Sequence, residues 1–165
     1  MYKRQVWDKA KESRIQKKVI FLDELWTLIG SSGNRLAADY VLEIFKVIRG
    51  YGGSAIAATQ DISDFFALDD GKYGKAIINN SRIKFVLQLE EDEAFTVQKH
   101  LSLSDEEAMQ VIRNNRGEAL LCANRNKLVI DIKASPYVYD LITTKRSDLE
   151  KKRRRKLEER KQYDD

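Results

Sequence analysis

Asp23 and Glu24 stand side by side at the end of the apolar run Val19-Ile20-Phe21-Leu22, inside the stretch KKVIFLDELWTLIG. Two carboxylates at the C-terminal tip of an apolar strand suit phosphate chemistry. Asp23 could hold a magnesium ion through water, and Glu24 could polarise a water for attack on a phosphate. The alternative is a strand tip whose acids cap the helix that follows. A second apolar stretch ends in Ala57-Ala58-Thr59-Gln60. An uncharged amide at a neighbouring strand tip can hydrogen-bond both an attacking water and a phosphate oxygen, whereas its plainer role is to start a helix. Arg49 lies eleven residues before Gln60. A cation at that point sits near an edge of the protein and could reach phosphates bound by a neighbouring subunit, as an arginine finger; otherwise it neutralises the C-terminal dipole of its own helix. No GxxxxGK[ST] phosphate cradle occurs in the 165 residues, so the chain carries half of a nucleotide site.

These side chains need strands to present them and helices to cover the strands. Residues 2–15 read as a polar helix with a short apolar face of Val6, Trp7 and Ala10. The first strand is 18–23, read as buried because its apolar residues are consecutive. A helix begins at 25–29 and is interrupted at Gly30-Ser31-Ser32-Gly33-Asn34. A longer one runs over 36–49, with Ala37, Tyr40, Val41, Ile44, Phe45 and Ile48 at helical spacing. Gly50-Tyr51-Gly52-Gly53 ends it and leads into a second strand, 54–59, small and apolar as if covered on both faces. A short helix, a polar loop at Asp69-Asp70-Gly71 and a helical turn before Asn79-Asn80 precede a third strand, 83–89. Helices follow at 91–100 and 104–114, the second opened by a capping box of Ser104 and Glu107. Residues 118–123 and 127–132 form a hairpin turned at Asn124-Arg125-Asn126. A short helix at 136–142 and a highly charged one at 145–162 complete the chain. Strands alternating with helices predict an α/β fold: a parallel three-layer sheet finished by an antiparallel hairpin.

Taken in order, KVIFLDELW, VIRGYGGSAIAATQDISDFF, IKFVLQLEEDEA, LSLSDEEAMQVI and RGEALLCANRNKLVIDIKAS resemble the C-terminal half of conjugation ATPases. These are the type IV secretion motors of the FtsK/HerA-like branch of RecA-type P-loop NTPases. The GYGGS and ATQD forms look closest to those of Gram-positive conjugative elements, and the resemblance covers residues 15–145 by motif order and spacing. It implies a partial RecA-like core over residues 1–144, followed by a charged helical tail over 145–165. It also implies a hexameric motor that uses ATP and Mg2+ to power transfer or channel assembly, with membrane components of the channel, and DNA in the parent, as partners. Its place would be cytoplasmic, at the inner face of the membrane through those partners.

Carried over residue by residue, Asp23 and Glu24 match the Walker B pair, Gln60 the sensor glutamine, and Arg49 the arginine that acts across the subunit interface. Arg82, just before the third strand, is a second basic candidate beside the nucleotide, with a surface role bracketing a buried strand as its alternative. The family's Walker A loop, first core strand and N-terminal domain would lie before residue 1, that strand falling between the second and third strands here. The gap could close by strand three sliding inward to pair with strand two, or a second chain could supply the missing edge. Two readings follow. One is a motor fragment whose complete parent hydrolyses ATP while this piece alone does not; the other is a non-catalytic assembly or regulatory module with the same fold.

Composition excludes other classes. A lone Cys122 rules out an internal disulfide, and a lone His100 rules out a Cys/His zinc site. No apolar run approaches the length of a membrane span. The acids of Leu89-Glu90-Glu91-Asp92-Glu93 open a helix, where its dipole favours them without a metal. The basic block Lys151–Lys156, interleaved with Glu150, Glu158 and Glu159, reads as a solvated charged helix, with anionic lipid or nucleic acid as its alternative partners. Basic and aromatic residues do not interleave in a stacking pattern, which argues against nucleic acid as the main ligand.

Overall fold

The computed structural model describes residues 2–31 and 33–163, with side chains described for 5–31 and 33–155. Ser32 and the side chains of Lys156, Glu158 and Glu159 lie outside the described residues. Two compact units divide the chain, Met1–Asp131 and Ile132–Asp165.

The first unit starts with helix α1, Tyr2–Lys11, shorter than the sequence suggests. Trp7 and Ala10 are buried, as their spacing predicts, while Val6 is exposed. The Trp7 indole N–H donates to Glu43 Oε1 at 3.1 Å, which satisfies the one polar atom this large ring brings inside. Strand β1 is Lys18–Leu22 and strand β2 is Gly53–Ala57; they pair in parallel, with Ile20 opposite Ala55 and Leu22 opposite Ala57. Between them come α2, Trp26–Ile29, and α3, Arg35–Val47. Asn34 caps α3, its Oδ1 accepting from the Ala37 N–H at 2.8 Å. A 3₁₀ turn, Ile48–Tyr51, carries the chain from α3 into β2. Gly52 makes the final turn at φ +68, where an added Cβ would fall 2.7 Å from the Arg14 carbonyl oxygen.

Helices α4, Ile62–Phe65, and α5, Lys72–Asn80, follow β2. The residues read as a lone helical turn before Asn79 thus form a nine-residue helix. Strand β3, Ile83–Val86, pairs antiparallel with β4, Glu118–Ala123, which pairs with β5, Asn126–Asp131. Helices α6, Glu91–Leu101, and α7, Asp105–Arg113, lie between β3 and β4. The capping box on α7 is present in both directions. In the hairpin, Ala123 faces Asn126, so β5 starts one residue earlier than its sequence suggests. Asn124 takes the left-handed conformation at φ +55, which a short polar side chain tolerates.

Three apolar clusters hold this unit together. Trp7, Ala10, Ile20, Ile44 and Ile48 join α1 and α3 to β1. Leu25, Ile29, Val41, Phe65, Tyr73 and Ile77 join α2 through α5. Val86, Val97, Leu103, Val111, Leu120 and Cys122 join β3 and β4 to α6 and α7.

The α/β class stands, but the three-layer parallel sheet does not form as one sheet. The parallel part is β1 and β2 alone, and β3 belongs to the antiparallel sheet. Nor are the first two strands covered on both faces. Ile20 is buried, whereas Val19, Phe21 and Ile56 on the other face are exposed. Opposite residues of a ladder share a face, so Phe21 and Ile56 form one apolar surface. An unbroken apolar run cannot distinguish a strand covered twice from one whose second face awaits a cover.

The second unit consists of α8, Pro136–Ile142, and α9, Arg146–Tyr163. No helix among the described residues is long and apolar enough to cross a membrane.

Candidate active site at two strand tips

Backbone hydrogen bonds continue past the ends of β1 and β2 and sew the two tips together. The Ala58 N–H donates to the Leu22 carbonyl and the Leu25 N–H to the Ala58 carbonyl, both at 2.9 Å. This brings Asp23-Glu24 beside Thr59-Gln60, although 36 residues separate Glu24 from Gln60 in sequence. The Gln60 side-chain Nε2 donates to Glu24 Oε1 at 2.8 Å. The Trp26 indole Nε1 donates to Glu24 Oε2 at 2.6 Å. Both oxygens of the Glu24 carboxylate are therefore oriented, one by an amide and one by a ring.

Glu24 also sits at φ +50, in the left-handed region that a residue with a Cβ occupies at some cost. Its own N–H donates to Asp23 Oδ1 at 3.0 Å, so the two acids form one tight corner. Asp23 is exposed and Glu24 half-buried, which leaves Asp23 facing water. Trp26 is half-buried, and its ring both packs and donates a hydrogen bond to Glu24. Its spacing of two residues from the acid is the only signal in the sequence, and it becomes meaningful once the turn at Glu24 bends the chain back.

The cations lie elsewhere. Arg49 is in the 3₁₀ turn that precedes β2, at the opposite end of that strand from Gln60. Arg82 immediately precedes β3, and its carbonyl accepts from the Asn124 N–H at 3.0 Å. Both line a groove of about 860 Å³ between β2 and β3. Strands β2 and β3 do not pair with one another, and both contribute to its walls. Lys46 and Lys84 line it too, no carboxylate among the described residues does, and its apolar lining includes Leu25, Phe65 and Ile77. Strand three has therefore not slid inward. The groove stands where the resemblance places an additional strand.

Magnesium is held by one or two carboxylates together with substrate phosphates and its own waters. The exposed Asp23 fits that requirement, and no cluster of three ligating side chains exists among the described residues. The chain's donor set fits a metal shared with a nucleotide rather than one caged by protein.

Comparison with solved structures gives two informative likenesses. The structure of VirB4 of Thermoanaerobacter pseudethanolicus is similar over 81% of this chain, with TM-score 0.73 and 29% identity, and the match takes in 35% of the VirB4 chain. This chain thus spans about a third of that protein. The genome packaging NTPase B204 from Sulfolobus turreted icosahedral virus 2, solved with ATP-gammaS, shares the fold at TM-score 0.51 and 18% identity, over 71% of this chain and 52% of B204. No curated protein sequence matches. The TraG P-loop domain matches residues 4–155. With that match spanning both strand tips and nearly the whole chain, and with the VirB4 likeness in fold, the chain belongs to the TraG P-loop domain family of conjugation and type IV secretion ATPases.

Proposed function

We propose that this chain supplies the water-activating part of an ATPase motor that powers conjugative transfer through a type IV secretion channel. The 2.8 Å hydrogen bond between Gln60 Nε2 and Glu24 Oε1 carries the reading, because it joins a base and a sensor amide across adjacent parallel strand tips. Glu24 accepts a proton from an attacking water, and the Gln60 amide donates to that water's oxygen or to a phosphate oxygen and holds it in line. While the two side chains satisfy each other, neither does this work, so the observed pair is a resting arrangement. Trp26 keeps the second Glu24 oxygen fixed throughout.

When bound, ATP would supply the phosphoryl group and Mg2+ would neutralise the charge that develops on it. Asp23 would be the carboxylate that holds the metal, through water. Phosphate oxygens also need a lysine and a nest of backbone N–H groups. In the parent these come with the strand that occupies the groove between β2 and β3. Arg49 acts on the nucleotide of a neighbouring subunit in a hexameric ring, and Arg82 is the second basic candidate.

The 165-residue chain alone is expected neither to bind ATP tightly nor to hydrolyse it. Magnesium-dependent turnover by the purified chain, abolished by Glu24→Gln, would sink this division of labour. In the complete parent, Glu24→Gln should lower turnover by about 10²-fold or more. One observation favours the assembly-module reading instead: both Glu24 oxygens are already satisfied within the chain. That reading expects Glu24→Gln to leave transfer by the parent unchanged.

A further inference from the structure

Each strand tip is followed by a four-residue helix, α2 after Glu24 and α4 after Gln60. Leu25, Ile29 and Phe65 belong to the cluster that packs these helices together. Such packing is non-directional, so it fixes no aim for a side chain. The directional tie between the two helices is Asp64, half-buried in the first turn of α4. Its Oδ1 accepts from the Ser31 N–H at 3.1 Å and also from the Ser31 hydroxyl, 33 residues away in sequence. Its own N–H donates to Asp61 Oδ1 at 2.7 Å, and Asp61 adjoins Gln60. On the other side, the Gly30 N–H donates to the Trp26 carbonyl at 2.6 Å, and Trp26 holds Glu24. These bonds close a circuit that runs Glu24, Trp26, Gly30-Ser31, Asp64, Asp61-Gln60 and back to Glu24. Gly30 marks the tightest point of the circuit. Its backbone is extended, at φ −80 and ψ −169, which any residue can adopt. Space is what demands glycine there: an added Cβ would fall 2.3 Å from Asp64 Oδ2 and 2.5 Å from the Trp26 carbonyl oxygen. An acid in a first helical turn also suits the helix dipole, but that role asks nothing of Ser31 or Gly30.

We propose that Asp64 is a positioning residue for the water-activating pair: it clamps the helix after the sensor amide to the helix after the base. The inference rests on the reading of Glu24 and Gln60 as that pair. Asp64 touches neither residue and acts through Ser31 and Trp26 on one side and Asp61 on the other. Backbone bonds past the ends of β1 and β2 fix where the two tips lie. They do not fix the aim of Glu24, because the chain turns at its φ of +50 and its carboxylate is held from α2 by Trp26. A fixed α2 therefore means a fixed base. Without the clamp, α2 can pivot about that turn and carry Trp26 with it. A shift on the order of 1 Å at a reacting group is enough to cost about 10²-fold in rate. The clamp also uses an ionised acceptor, which makes its two bonds the strong kind.

The test has two arms. The chain has two tryptophans, and NMR of the 165-residue chain reads their indole N–H signals separately. Trp26 is held by Glu24, while Trp7 is held by Glu43 in another cluster. Asp64→Ala should move the Trp26 signal toward that of a free indole and leave Trp7 where it is. Ser31→Ala should move it part of the way, and Asp64→Asn, which keeps an acceptor oxygen in place, should largely restore it. A general loss of stability would move both signals together. In the complete parent, Asp64→Ala should lower kcat about tenfold or more while KM for ATP stays within about twofold, and Asp64→Asn should recover most of the loss. The proposal is overturned by a Trp26 signal indifferent to Asp64→Ala, or by both indole signals moving together. It is overturned equally if Asp64→Ala leaves turnover intact in a parent that Glu24→Gln disables. Turnover unchanged by Glu24→Gln would instead overturn the water-activating reading, and this inference with it.

Discussion

Glu24 combines three properties that residues seldom share without a functional reason: a left-handed backbone, a neighbouring acid bonded to its own N–H, and both carboxylate oxygens held. Each of the two holding bonds involves a charged acceptor, and such bonds hold orientation well. In the parent, Trp26→Phe should therefore lower turnover by less than Glu24→Gln does; unchanged kinetics would remove Trp26 from the site. Two residues far from the tips contribute to the acid response of the fold. His100 stacks on Phe66 with ring centroids 3.9 Å apart, and burial, then Lys75 and Lys99, hold its pKa below the usual 6.5. The folded chain thus keeps it neutral while the unfolded chain takes up a proton, so stability should fall as pH drops from 6.5 through the lowered value. Glu107 accepts from Lys127 Nζ at 2.7 Å, and that bond outweighs partial burial to hold its carboxyl below the ordinary 4.5. Its contribution is present above pH 4.5 and is lost as pH falls through the lowered value. Denaturant titrations from pH 7 to well below 4.5 should show both steps, with His100→Gln flattening the first and Glu107→Gln the second. Asp23, Glu24 and Gln60 were legible in sequence because each terminates an apolar stretch. The hydrogen bond from Trp26 was not, since it depends on a turn that no residue type announces.

At the scale of elements, local chemistry was read well where it is self-contained. The capping box, the hairpin and the α8 helix are each specified by a few neighbouring residues, and each formed within a residue or two of its expected bounds. Ser104→Ala should remove one arm of the box and cost about 1 kcal/mol, read as a lower denaturant midpoint with an unchanged slope. Gly52→Ala should cost about 1–3 kcal/mol, because it strains a φ of +68 and drives a Cβ toward the Arg14 carbonyl. If its midpoint equals that of the parent chain, the turn into β2 is not held as described. Arg49 is the instructive case at this scale. Sequence puts it eleven residues before Gln60, and the strand between them carries the two to opposite ends of β2. A role for it across a subunit boundary is compatible with that separation; a role beside Glu24 in the same chain is not.

For the whole molecule, the decisive feature is the groove between β2 and β3, whose two strands each lack a partner on that side. Open edges and an apolar face of Val19, Phe21 and Ile56 favour association with further chain, native or not. Light scattering of the isolated chain should therefore show concentration-dependent self-association, and Phe21→Lys should reduce it while shifting stability by no more than about 0.5 kcal/mol. Self-association unaffected by that substitution would place the contact elsewhere. By itself the sequence determined the α/β class, the order of elements, the family resemblance and the residues at the strand tips, because periodicity, caps and tip composition are local signals. Only the tertiary structure decided which strands pair, that Glu24 and Gln60 meet at 2.8 Å, that Arg49 and Arg82 line a common groove, and that apolar strand faces stay open. The physical reason is that pairing and burial belong to contacts between distant segments: an apolar residue records a preference for cover, and only the folded chain shows whether this molecule supplies it.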